Sequence, residues 1–176
     1  DMRISEVDAI DDYDFSSDYA INKGRLEQYA FYVQDELRFL DDRLIVVGGI
    51  RFDTAKFKDG LYESNVSPFD LVSGSLNDSS WDAFSPKISS RYHFSDNISV
   101  YGSYSRGFRA PILDALCRYG IFHGRFYDAN PDLENETLDS FEIGSDMRLS
   151  EMLDLSFSGY YSRGKDFIYS VDTGQT

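Results

Sequence analysis

Apolar and polar positions alternate with a period of two along most of the chain, and this pattern predicts strands. From Leu26, the residues Tyr29, Phe31, Val33, Leu37 and Phe39 fall on one face, with Gln28, Gln34, Glu36 and Arg38 on the other. After Asp41-Asp42 the alternation returns through Leu44, Val46, Gly48, Ile50 and Phe52, against Arg51 and Asp53. A second copy runs through Phe84, Pro86, Ile88, Tyr92 and Phe94, turns at Ser95-Asp96-Asn97, and comes back through Ile98, Val100, Gly102 and Tyr104. A third sets Phe141, Ile143, Met147 and Leu149 against Ser140, Glu142, Asp146 and Arg148. It turns at Ser150-Glu151-Met152 and returns through Leu153, Leu155, Phe157, Gly159 and Tyr161. The expected class is all-β, an antiparallel meander of about six long strands.

The connections differ in length. Asp, Asn and Ser at the three short turns suit tight reversals. Residues 1–24, 58–80 and 107–135 read as loops; the first is acidic, the other two long. A meander with alternating short and long connections puts all short turns at one end. Outer-membrane barrels have this asymmetry, with short periplasmic turns, long extracellular loops and strands that are apolar toward lipid and polar toward the lumen. The alternative for the same pattern is a soluble β-sandwich. Long strands, and mixed charges on the polar face (Arg51, Asp53, Lys87, Arg91, Glu142, Asp146), favour the barrel, because a packed core excludes such groups. Six strands do not close a membrane barrel, so the chain is expected to be part of a larger one.

Composition fits this class: the 176 residues include 14 Phe, 13 Tyr and 13 Gly. A net charge of −14 argues against a nucleic-acid surface. No apolar run is long enough for a membrane-spanning helix, and no signal peptide is visible. The single cysteine, Cys117, has no internal disulfide partner. No Ser/His/Asp order, Cys/His metal spacing or phosphate-binding Gly loop points to an enzyme.

The stretch from Arg106 to Thr137 interrupts the alternation. Pro111 ends strand pairing because it lacks an N–H, and Asn130-Pro131 signals a turn back into the sheet. His123, one of two histidines, lies between them.

Gly107-Phe108-Arg109-Ala110-Pro111 followed by Asn130-Pro131-Asp132-Leu133-x-x-Glu136-Thr137 resembles the TonB-dependent outer-membrane receptors. Tyr32-Val33-Gln34-Asp35-Glu36, Gly49-Ile50-Arg51-Phe52-Asp53, Phe84-Ser85-Pro86-Lys87 and Phe141-Glu142-Ile143-Gly144 extend the likeness over roughly 26–170. The resemblance implies a 22-stranded transmembrane barrel in the bacterial outer membrane, closed by an N-terminal plug. This chain would hold a middle portion of the barrel domain. The plug and the segment that contacts TonB would lie outside it, so energised import by this piece alone is not expected. The implied partners are outer-membrane lipid, the plug and TonB.

The two boxes flanking a histidine look most like the heme and hemoglobin receptors. That likeness implies heme or hemoprotein as the transported ligand, not a resident cofactor, with His123 as an axial iron ligand. The chemistry is compatible, since neutral imidazole is a common heme ligand. Phe122, Phe126 and Tyr127 offer rings to the porphyrin, Arg118 and Arg125 offer cations to the propionates, and Tyr119 or Tyr127 offers an alternative phenolate ligand. The alternative cargo is a ferric siderophore, cobalamin or a glycan.

Overall fold

The structure is a computed structural model, and it describes residues 3–16, 20–67, 70–122 and 125–169. Its strands are β1 (Arg3–Ser16), β2 (Ala20–Phe39), β3 (Leu44–Ser67), β4 (Asp70–Ser75), β5 (Ser79–Ser95), β6 (Ile98–Arg109), β7 (Gly120–Phe122), β8 (Arg125–Tyr127), β9 (Glu136–Ser150) and β10 (Leu153–Lys165). The one helix among the described residues is α1 (Leu113–Cys117). One large sheet has the order β1-β2-β3-β5-β6-β9-β10, with β4 on the upper part of β3. β7 and β8 form a separate small hairpin. Every pairing is antiparallel.

The all-β antiparallel meander expected from the alternation is what forms. Three stretches differ from expectation; one is 107–135, expected as a long loop, which holds the end of β6, α1 and the β7–β8 hairpin. Residues 3–16 of the acidic stretch 1–24, expected as loop, form β1 and pair with β2 along its length. In the stretch 58–80, expected as a long loop, β3 continues to Ser67 and β4 folds back on it. Strands of 20 and 24 residues overshoot the roughly 9–11 residues that cross a bilayer. The overshoot carries the sheet well past the apolar band at the long-loop end.

The short turns close tightly. Leu40, Asp41 and Asp42 adopt φ of 58°, 53° and 67°, and Arg43 N–H donates to the Leu40 carbonyl at 3.2 Å. Asp tolerates this left-handed region better than other side chains because its short carboxylate bonds locally. At the other two turns, the amides of Asn97 and Met152 donate to the hydroxyls of Ser95 and Ser150, each at 3.3 Å. Neighbouring hairpins are tied together here: His93 N–H donates to the Arg43 carbonyl and Arg148 N–H to the Asn97 carbonyl, both at 2.8 Å.

Register sorts the two faces. Phe31 pairs with Phe52, and Phe52 with Phe84. With Ile50, Ile88, Phe141, Ile143 and Phe157, they form an exposed apolar face. The opposite face carries Arg51 bonded to Asp53 at 2.7 Å and Arg91 bonded to Asp146 at 2.6 Å. Tyr101 lies on that polar face beneath the Arg91 guanidinium, 4.9 Å from ring centroid to Cζ. No second large sheet covers the apolar face among the described residues. In a sandwich that face would be the buried one, so the arrangement is that of a barrel wall.

Candidate functional site

The connection between β6 and β9 leaves the sheet at a split. β5 and β6 stay paired only as far as Lys87 and Ser105, whereas β6 and β9 remain paired to Arg109 and Glu136. Beyond the split, Leu26, Ala55, Phe57 and Trp81 on the inward positions of β2, β3 and β5 form a small core with Ala110, Leu113, Leu116 and Cys117 from the connection. Leu76, Phe108 and Leu133 pack against it.

α1 is one amphipathic turn with Leu113, Leu116 and Cys117 on its buried side, the spacing that puts side chains on one helix face. Pro111 is fully buried just before it. Asp114 lies in its first turn, where a carboxylate suits the helix dipole. Phe57 is fully buried between two glycines. A Cβ on Gly24 would stand 2.6 Å from Phe57 Cε2 and 2.9 Å from Cys117 Sγ, and one on Gly60 would stand 2.6 Å from Phe57 Cζ. Burial, and secondarily the charge of Asp114, pushes the Cys117 thiol up to about 12. This cysteine is therefore a small apolar core residue rather than a thiolate.

Polar anchors hold the returning half of the connection. Ser79 Oγ–H donates to the Pro131 carbonyl at 2.7 Å, and Trp81 Nε1–H to the Leu133 carbonyl at 2.8 Å. Asn130 Oδ1 accepts from Asp132 N–H at 3.1 Å, the local side-chain turn that Asn-Pro sequences favour. Glu136 is only 4% exposed. One of its carboxylate oxygens accepts from the Arg109 guanidinium and the other from Ile168 N–H at 2.8 Å. The bond from Arg109, followed by the Ile168 amide, outweighs burial and holds the Glu136 carboxyl below the usual carboxylate range.

Phe108, Arg109, Ala110 and Pro111 thus stand where the connection departs, and Asn130, Pro131 and Leu133 where it returns. The middle of the connection carries aromatic rings. Tyr119 stacks on Tyr62 of β3 at 4.3 Å between centroids and meets Phe126 edge-on at 5.3 Å. Tyr62 in turn lies over Gly74 of β4, where a Cβ would meet its hydroxyl at 2.6 Å. Arg118 is ion-paired with Asp114 one helical turn back, and its guanidinium lies 5.1 Å from the Tyr127 ring centroid. Burial, then the neighbouring Tyr62 and Asp128, raises the Tyr119 phenol above its ordinary range. Tyr119 therefore offers a neutral ring rather than a ready phenolate. Phe122 and Arg125 pair through their backbones in the β7–β8 hairpin, and Phe126 is exposed. His123 lies outside the described residues.

Sequence reading had not singled out Tyr62, Trp81, Phe57 or Gly24 for this site. Only the register of β2, β3 and β5 brings them to it. Glu136 stood in the second box without an assigned partner.

The family model for the TonB dependent receptor-like β-barrel matches residues 3–176, and the chain belongs to that family, one of outer-membrane transport receptors. A hemin receptor of Yersinia pestis is 28% identical over 157 residues, covering 78% of this chain and 21% of that protein. The TonB-dependent heme receptor A of Haemophilus influenzae is 22% identical over 170 residues, covering 90% of this chain and 22% of that protein. The chain thus spans about a fifth of the length of these curated relatives. Among solved structures, the ferric-catecholate import receptor Fiu of E. coli superposes with a TM-score of 0.61 at 20% identity, over 89% of this chain and 24% of that one. The Serratia marcescens hemophore receptor HasR, in complex with its hemophore HasA and heme, gives 0.56 at 14% identity, over 93% and 33%. At these identities the structural matches speak for the fold alone.

Proposed function

We propose that this chain is the part of a TonB-dependent outer-membrane receptor that captures heme, or heme presented by a hemoprotein, on its outer side. The observation that carries this reading is the aromatic surface of the β6–β9 connection, Tyr119 with Phe126 and Tyr62, beside His123 in the sequence. Flat rings suit a porphyrin, and a neutral imidazole suits its iron. In this reading His123 is the axial ligand. Phe122, Phe126, Tyr119 and Tyr127 flank the macrocycle, and Arg125 faces a propionate. Arg118, already engaged by Asp114 and Tyr127, steadies the rings more than it binds carboxylate. The two curated relatives named for hemin and heme support the cargo. The buried anchors at Trp81 and Glu136 fix where the connection leaves and rejoins the wall. The complete protein would add the remaining strands, the plug and the segment that meets TonB, giving the 22-stranded barrel that the resemblance implies.

A second reading takes a ferric siderophore as cargo. The ferric-catecholate receptor and the hemophore receptor share this fold alike, so the fold leaves both cargoes open. Growth of an iron-starved, receptor-deficient strain that makes its own heme and carries the full-length protein separates the two. Rescue by hemin as sole iron source supports the heme reading; rescue only by a ferric siderophore overturns it.

A further inference from the structure

The β6–β9 connection leans to one side of the inner wall. α1 packs with Phe57 and Trp81 on inward positions of β2, β3 and β5, and Tyr119 stacks on Tyr62 of β3. Inward positions at the outer ends of β6, β9 and β10 are left open. Register lines them up in two rows. The upper row sets Arg109 beside Glu136. The lower row, two residues down each strand, sets Gly107, Leu138 and Gly164 side by side.

The lower row is apolar. Gly107 carries no side chain, and Leu138 is exposed. Asp166 adopts a φ of 57° and turns the chain back after β10. The Phe167 ring thereby lies on Gly164, in the place a Cβ would fill. That ring is 55% exposed. Two exposed apolar side chains and a bare glycine make a shelf on a face that is polar further down, at Ser140 and Glu142.

Arg109 overhangs the shelf, about 7 Å up β6 from Gly107. Its Nε–H donates to Glu136, whose other oxygen accepts from Ile168 N–H. Among the described residues no partner meets its Nη1–Nη2 edge, and the side chain is 67% exposed. Arg106 and Arg118 differ, because each grips a carboxylate through both Nε and Nη2. A guanidinium held at one edge by a buried carboxylate keeps its other fork for a second carboxylate.

We propose that Arg109, Leu138 and Phe167 form a second porphyrin seat on the inner wall, separate from the aromatic surface around Tyr119. The Arg109 fork takes a propionate, and the edge of the macrocycle lies on Leu138 and Phe167. An apolar surface with one well-placed polar group is the usual make-up of a small-molecule site. The seat rests on the heme reading given above and names a contact that the reading does not include.

The test titrates detergent-solubilised full-length receptor with protoporphyrin IX and with its dimethyl ester, followed by porphyrin fluorescence anisotropy. The probe keeps both carboxylates and has no iron, so the readout does not depend on His123. The wild type should prefer the free acid. R109Q should lower affinity for the acid about tenfold and leave the ester unchanged, and R109K should keep most of the preference. F167A should weaken acid and ester alike, roughly fivefold. H123A should keep the wild-type preference. An unchanged preference in R109Q overturns the seat. So does an equal loss for both compounds, which would make Arg109 a strut for Glu136 alone. Either result leaves the heme reading standing where hemin still shifts the Soret band of the wild type. If the wild type binds neither hemin nor protoporphyrin, the heme reading and the seat fall together.

Discussion

Trp81 and Leu133 are joined by a hydrogen bond of 2.8 Å from the indole Nε1–H to the main-chain carbonyl. The bond fastens the returning half of the β6–β9 connection to the inward face of β5. The indole is 8% exposed, so the bond is shielded from competing water. Trp81→Phe keeps a ring in the core and removes the donor. The expected cost is about 1 kcal/mol, read as faster limited proteolysis between 128 and 135 with the strands intact. Unchanged cleavage there would mean that the bond does not hold the connection.

Gly24→Ala adds a methyl group where Phe57 and Cys117 already stand. Overpacking of this kind costs about 1–3 kcal/mol. A chemical-denaturation midpoint should fall accordingly, and Phe57→Leu in the same protein should recover part of the loss by vacating ring volume. A double variant less stable than Gly24→Ala alone by the full cost of Phe57→Leu would deny the contact.

Glu136 links β6, β9 and the segment after β10. Its folded-state pKa lies below the unfolded value, so its stabilising contribution is present above the ordinary carboxylate range near 4.5. That contribution is lost as pH falls through the lowered folded value. Arg109 is largely exposed, so solvent screening keeps the pair's contribution small. Hydrogen exchange over 128–138 and 165–169, corrected for intrinsic rates, should accelerate as the pH drops below 4.5. Glu136→Gln should remove that pH dependence.

Cys117 should resist iodoacetamide at pH 8 in the folded receptor and react once it is unfolded. With the folded thiol near 12 and an unfolded one near 8.5, the folded state holds its proton longer. Stability from this group is therefore complete below about pH 8.5 and declines as pH rises toward 12. Rapid labelling of folded protein would contradict the packing of α1.

Much of the fold was legible in the alternation, because each strand between β2 and β10 that crosses the apolar band has one lipid-type face and one wet face. β1 was not, because Asp8, Asp11, Asp12 and Asp14 fall on both parities and blur the period. The extension of β3 and the whole of β4 were hidden for a related reason. Above the apolar band a strand has two polar faces, and Ser64 and Asn65 read as loop although a backbone ladder holds them. α1 is too short for helical periodicity to register. In the site, the boxes at Arg109 and Asn130 were visible as local motifs. Tyr62 was not, because its meeting with Tyr119 depends on long-range register and on the bare surface of Gly74 beneath it.

Hemin titration of the full-length receptor, followed in the Soret band, tests the central claim most directly. The wild-type protein and His93→Ala, altered at the short-turn end, should show the same Soret shift. His123→Ala should lose it. Tyr62→Ala should keep the band position but weaken affinity several-fold, since a stacked ring contributes roughly 0.5–1.5 kcal/mol. An unchanged Soret shift in His123→Ala would contradict the assignment of His123 as the iron ligand.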